Sequence, residues 1–153
     1  WANYNASLCL INGVGQYRAK LTDGVYIYYD IKVPYGGIEY PIEGHYQRWL
    51  ELPLVTGNRW EDIFKDSIDV EGQKVRIEHR IGGKILNVED LTVTAGSFED
   101  VYWLEVVNVV RITSNIYNHF DSTLSYEYYA PNAGLILIET GGRKYTLQEY
   151  QGL

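Results

Sequence analysis

Residues 89–109 read EDLTVTAGSFEDVYWLEVVNV, two alternating runs of apolar and polar residues joined by Ala95-Gly96-Ser97-Phe98. In the second run Val101, Trp103, Val107 and Val109 share one parity, and Tyr102, Leu104, Val106 and Val110 share the other. A period of two places successive side chains on opposite faces of a strand. The lone glycine inside strand-like sequence marks a bulge or a tight bend, so the chain is expected to turn or kink there. A strand that is apolar on both faces needs cover on both, which places it centrally in a sheet and makes Trp103 a packing residue rather than a ligand contact.

The same period extends outward in both directions. In GVYIYYDIKV, residues 24–33, Val25, Ile27, Tyr29, Ile31 and Val33 alternate with Tyr26, Tyr28, Asp30 and Lys32. In KVRIEHRIGGKILNVED, residues 74–90, Val75, Ile77 and Ile81 alternate with Lys74, Arg76, Glu78 and Arg80. Gly82-Gly83 then reads as a two-residue hairpin turn, which would set Ile81 against Lys84, His79 against Leu86 and Ile77 against Val88. STLSYEYYA, GLILIET and RKYTLQEY add shorter runs, punctuated by Pro131-Asn132-Ala133-Gly134 and by Gly141-Gly142. The best helical candidate, NRWEDIFKDSI at 58–68, sets Trp60, Phe64, Ile68 and Val70 equally well on one face of a strand, and the turn-like VEGQ that follows favours the strand. The expectation is an all-β fold, a single curved antiparallel sheet or an open or half β-barrel of about nine strands, with little or no helix. No repeat or linker divides residues 1–153, which read as a single β domain.

Composition bounds what such a fold is for. A chain of 153 residues buries roughly 70% of its unfolded surface and needs no staple. Its net charge is −7, with 13 Lys and Arg that do not cluster in sequence. Nucleic acid is therefore not an expected partner, since affinity for a phosphate backbone comes from basic side chains displacing counterions. No apolar run approaches the ~20 residues of a membrane-spanning helix. Methionine is absent and the chain starts at Trp1, as expected of a processed exported protein or of a chain trimmed of its leader. Cys9, the only cysteine, sits in apolar SLCLI and reads as a small buried hydrophobe, while Asn5-Ala6-Ser7 matches the three-residue glycosylation sequon.

The residues offer no catalytic constellation and no metal or cofactor site. His45, His79 and His119 stand far apart in sequence with no cysteine companions, and His79 reads as a half-buried, hydrogen-bonded side chain. The Glu-Asp pairs at 61–62, 89–90 and 99–100 are adjacent, so on a strand they point to opposite faces and cannot act on one bond. What stands out is tyrosine, 15 residues against three phenylalanines. Strand propensity accounts for much of this, but an apolar ring with a polar tip also suits sugar stacking and amphiphilic ligands. Tyr26 and Tyr28 share one strand face, and Tyr126 and Tyr128 share another. If both strands serve one side of a curved sheet, the four form a candidate surface for a lipid or, alternatively, a carbohydrate.

LELPLVTGNRW, VTAGSFEDVYWLEVV, YEYYAPNAGLILIE and the closing YTLQEY resemble the ordered landmarks of a family of bacterial exported domains, mostly lipoproteins and sometimes labelled TapB-like. That family is in turn similar to the open or half β-barrels of the LolA/LolB lipoprotein-handling proteins. Leu52, Pro53, Gly57 and Trp60 match the first landmark. Val93, Gly96 and Phe98 match the second, and Tyr128, Tyr129, Ala130, Gly134 and Leu135 the third. The resemblance implies a β-sheet fold, and export to the periplasm or cell surface with a lipid anchor in the full-length protein. It implies no reaction, and its likeness to lipoprotein-handling folds suggests a lipid or lipoprotein acyl chain as ligand; with no catalytic constellation in the sequence, the expected role is non-enzymatic, with an envelope protein as a further candidate partner.

Overall fold

The computed structural model describes residues 6–11, 14–115 and 117–148, and the side chains from residue 18 onward within them. Asn5 of the sequon, the Cys9 side chain and Glu149-Tyr150 of the closing motif lie outside the described residues. The fold is all-β and antiparallel, with no helix among the described residues. The described residues form twelve strands in three sheets. The first sheet comprises β1 (Ala6–Ile11), β2 (Val14–Lys20), β3 (Gly24–Tyr29) and β6 (His45–Glu51), in the order β1-β2-β3-β6. Between β3 and β6 the chain makes a separate hairpin of β4 (Lys32–Tyr35) and β5 (Ile38–Pro41). The third sheet runs β12-β11-β10-β9-β8-β7 and contains β7 (Arg59–Val70), β8 (Gln73–Val93), β9 (Gly96–Thr113), β10 (Asn118–Ala130), β11 (Gly134–Thr140) and β12 (Arg143–Thr146).

The expected single curved sheet of about nine strands is thus replaced by three sheets, and none closes into a barrel. One cause is local. The alternation from Val25 to Val33 is continuous in sequence, but the strand ends at Tyr29, and Lys32–Tyr35 pairs with β5 instead of β6. All of the segment at 58–68 except Asn58 is strand, within β7, as its turn-like sequel suggests. That sequel is a two-residue turn in which Glu71 and Gly72 take φ of 52° and 78°. The break at Ala95-Gly96 is the turn between β8 and β9, where Gly96 has a φ of 140°.

Gly82-Gly83 is not a hairpin turn. Strand β8 passes straight through it, so the proposed pairing of Ile77 with Val88, His79 with Leu86 and Ile81 with Lys84 does not form. The buried positions keep one parity across the pair, with Val75, Ile77, His79 and Ile81 before it and Ile85 after it. A two-residue turn would have reversed that parity. The glycine at 83 answers to packing: a Cβ there would sit 2.2 Å from Cζ2 of the buried Trp60 indole. Glycine inside a strand here permits close approach of a ring to the backbone.

Packing divides the chain into two compact units. The first comprises Trp1–Pro53, Glu61–Ile81 and Asn108–Ser122, and the second Leu54–Trp60, Gly82–Val107 and Thr123–Leu153. Strands β7 to β10 each contribute residues to both. In the first unit Val33, Ile42, Val70, Val75, Ile77 and Ile112 form a core on which Phe64, Ile68 and Tyr117 pack. In the second, Val101, Tyr128, Ala130, Ile136 and Leu137 form another, lined by Trp103, Phe98 and Leu147. Each buried Ile or Leu contributes ~1.5–3 kcal/mol relative to leaving it in water, so these clusters carry much of the fold's stability.

Candidate functional site

The four tyrosines singled out in the sequence fall on two different sheets, Tyr26 and Tyr28 on β3 and Tyr126 and Tyr128 on β10. Tyr128 is buried, its ring parallel to that of Trp103 at 5.9 Å, and Tyr126 leans on the same indole at 6.1 Å. Burial, followed by the nearby Glu139 and Glu89, pushes the Tyr128 phenol above its ordinary value. Trp103 is a packing residue, and its position on β9 beside β10 is what covers these rings.

On β3 the alternation does give a wetter face. Tyr28 is 40% exposed and meets Tyr46 edge-on at 5.2 Å, its register partner on β6. Tyr26 lies opposite Arg48 and donates its hydroxyl to Asp23 at 2.8 Å. Burial first, and that carboxylate second, push the Tyr26 phenol up to about 12. Gly44 makes room for the Tyr28 hydroxyl, which fills the space a Cβ would need.

Beneath β6 the first unit holds a polar cluster within apolar surroundings. His79 is fully buried rather than half-buried, and one ring nitrogen lies 2.7 Å from the side-chain oxygen of Asn108. Desolvation pushes its imidazole below the ordinary histidine value, outweighing the Asn108 bond. His45, distant in sequence, comes within 5.9 Å of it ring to ring and stacks on Phe64 at 3.5 Å. Buried Gln47 donates to the carbonyls of Asp62 and His79 at 2.9 and 2.8 Å. The cluster is only partly satisfied, since His45 Nε2, Gln47 Oε1 and His79 Nδ1 are buried with no hydrogen-bond partner among the described residues. No group of three or more His, Cys, Asp or Glu among the described residues is arranged to hold a metal ion.

A cleft lies elsewhere in the first unit, on β7, β8 and β9. Lys65 and Ser67 come from β7, Lys74, Arg76 and Glu78 from β8, and Arg111 and Thr113 from β9. Together with Asp66 and the core residue Ile77 they line a cleft of about 510 Å³. The positions alternate with buried ones: Lys74, Arg76 and Glu78 interleave with Val75, Ile77 and His79, and Arg111 and Thr113 flank Ile112. Lys65 pairs with Glu78 at 3.0 Å, which together with Arg80 and Arg111 holds the Glu78 carboxyl below its ordinary range. Near the cleft Arg111 lies 5.6 Å from the ring centre of Phe120, which is 60% exposed. Ile63, two residues before Lys65 on β7, is 40% exposed. None of these residues is conspicuous alone; only the pairing of three strands gathers them.

Compared with protein-family models, with curated proteins and with solved structures, the chain shows no significant match.

Proposed function

We propose that this chain is a non-catalytic binding domain of the cell envelope, exported and lipid-anchored in its full-length form, that takes an amphiphilic ligand in the cleft on β7–β9. The cleft carries this reading. Its volume of about 510 Å³ falls within the range of small-molecule sites, and Phe120 and Ile63 offer apolar surface on a face otherwise set with charges and hydroxyls. The resemblance of the Leu52–Trp60, Val93–Phe98 and Tyr128–Leu135 segments to LolA/LolB-like lipoprotein-handling domains with open or half barrels supports an envelope role and an amphiphile as cargo. The test is titration with a fluorescent fatty-acid probe, comparing the native chain with Ile63→Ser/Phe120→Ser. Both side chains are partly or largely exposed, so the variant is expected to melt within a few degrees of the native protein and to bind the probe about tenfold more weakly, a loss of ~1.4 kcal/mol. Equal binding by the two proteins counts against the cleft, and no binding by either removes the amphiphile.

A carbohydrate-binding role is the second reading, favoured by the partly exposed Tyr28 ring packed on Tyr46 with Arg48 and Asp23 beside it. A ring flanked by hydrogen-bonding groups suits a sugar face and its hydroxyls. Binding of surface glycans that is lost in Tyr28→Ala would shift the assignment to β3 and β6.

A further inference from the structure

Charge in the cleft is unevenly matched. Lys65, Lys74, Arg76 and Arg111 face Asp66 and Glu78, and Glu78 is already engaged by Lys65 and Arg80. Asp66 turns one carboxylate oxygen to the backbone N–H of Ser67 at 2.7 Å. Lys74, Arg76 and Arg111 make no ion pair with any described residue. The chain has a net charge of −7, yet four cations against two carboxylates line this cleft, where Arg111 acts on Glu78 only at longer range than an ion pair.

We infer that the ligand is an amphiphile with an anionic phosphate-type head group, held by Lys74, Arg76 and Arg111, with its apolar part lying toward Phe120. The inference rests on the amphiphile reading and adds the chemical class of the head group. Lys74 and Arg76 are two apart on β8 and project from the same face roughly 7 Å apart at their bases, a separation their long side chains span. Arg111 comes from the neighbouring strand. Two guanidinium forks and one ammonium match a dianionic head better than a single carboxylate, because each fork presents paired N–H donors to two oxygens. The hydroxyls of Ser67 and Thr113 supply neutral donors in the same cleft. Phe120 lies against the Arg111 guanidinium, so a chain attached to a head group at Arg111 meets an apolar ring next. Lys65 is tied to Glu78 and belongs to the wall.

The experiment is calorimetric titration of the full chain with dodecyl phosphate, dodecyl maltoside, inorganic phosphate and a single-stranded oligonucleotide, each amphiphile below its micellar concentration. Dodecyl phosphate is expected to bind at least about tenfold more tightly than dodecyl maltoside or inorganic phosphate, and to weaken as salt is raised. Arg76→Ala/Arg111→Ala should lose most of that preference while melting like the native chain, since both arginines are exposed. Phe120→Ala should weaken dodecyl phosphate and leave inorganic phosphate unaffected. Equal binding of dodecyl maltoside overturns the head-group inference and leaves the amphiphile reading standing. Binding of neither amphiphile overturns both. Inorganic phosphate bound as tightly as dodecyl phosphate makes this a free-phosphate site, and tighter binding of the oligonucleotide makes the partner a nucleic acid; either result overturns the inference. If the double variant unfolds, Arg76→Gln and Arg111→Gln taken singly carry the test, and unchanged dodecyl phosphate affinity in both overturns it.

Discussion

Three glycine pairs in this chain share a sequence and differ in what surrounds them. Gly36-Gly37 and Gly141-Gly142 take positive φ and close the hairpins between β4 and β5 and between β11 and β12. Gly82-Gly83 lies in the middle of β8 with no left-handed residue. The two members of that pair also differ from each other. An added Cβ at Gly82 would meet only the Trp60 carbonyl oxygen, at 3.5 Å, whereas at Gly83 it would enter the indole ring. Gly83→Ala is therefore expected to cost ~1–3 kcal/mol through forced displacement of a buried ring. Gly82→Ala should be neutral or stabilising by up to about 1 kcal/mol, because it removes freedom only from the unfolded chain. Urea denaturation of the two variants checks this, and equal losses would show that the backbone and not the ring requires glycine.

Among the elements, β7 and β8 supply most of the site and are joined by a two-residue turn. Glu71 holds a φ of 52°, a left-handed conformation that costs a residue with a Cβ roughly 1–2 kcal/mol, and Asp69 accepts the N–H of Gly72 at 2.8 Å. Asn-Gly is the sequence best suited to such a turn, since asparagine tolerates left-handed backbone far better than glutamate. Glu71→Asn should raise stability by ~0.5–1 kcal/mol in chemical denaturation and leave the cleft unchanged, and a loss of stability would mean that the Glu71 side chain makes a contribution larger than the strain. How far these elements were legible beforehand depends on range. The alternation that identifies β7, β8 and β9 is written within each segment, as is the VEGQ turn. The break of 24–33 into β3 and β4 is not, because nothing in the alternation changes at Asp30-Ile31; the choice of partner strand decides it. The same holds for the cleft. Lys65, Arg76 and Arg111 are scattered along the sequence, and the strand order alone puts their side chains around one concavity. The pairing of Tyr126 with Tyr128 on one face was readable, but the Trp103 ring that covers them arrives from another strand.

For the molecule as a whole, the buried imidazole sets a dependence on pH. His79 is held neutral by desolvation, so its folded value lies below the unfolded one of about 6.5. Above that value neither state carries the proton and the stability is fully present. As pH falls through about 6.5 the unfolded chain takes up a proton that the folded chain refuses, and stability declines by at most about 1.4 kcal/mol per pH unit until the folded group also titrates. Melts recorded between pH 8 and pH 5 should show this slope, and His79→Gln should flatten it; an unchanged slope would assign it to other groups. Beyond single chains, β7 carries a further consequence. It ends the six-stranded sheet and is twelve residues long, a length at which an open row of N–H and C=O groups recruits strands from neighbouring molecules. Along it Arg59, Glu61, Asp62, Lys65, Asp66 and Asp69 put a charge on half of its twelve positions, and Gln47 already occupies the carbonyl of Asp62. An incoming strand would have to desolvate those charges, including the exposed ion pairs Lys65–Glu78 and Arg80–Glu61. The border that shapes one wall of the cleft thereby also disfavours edge-to-edge pairing between separate copies at high concentration.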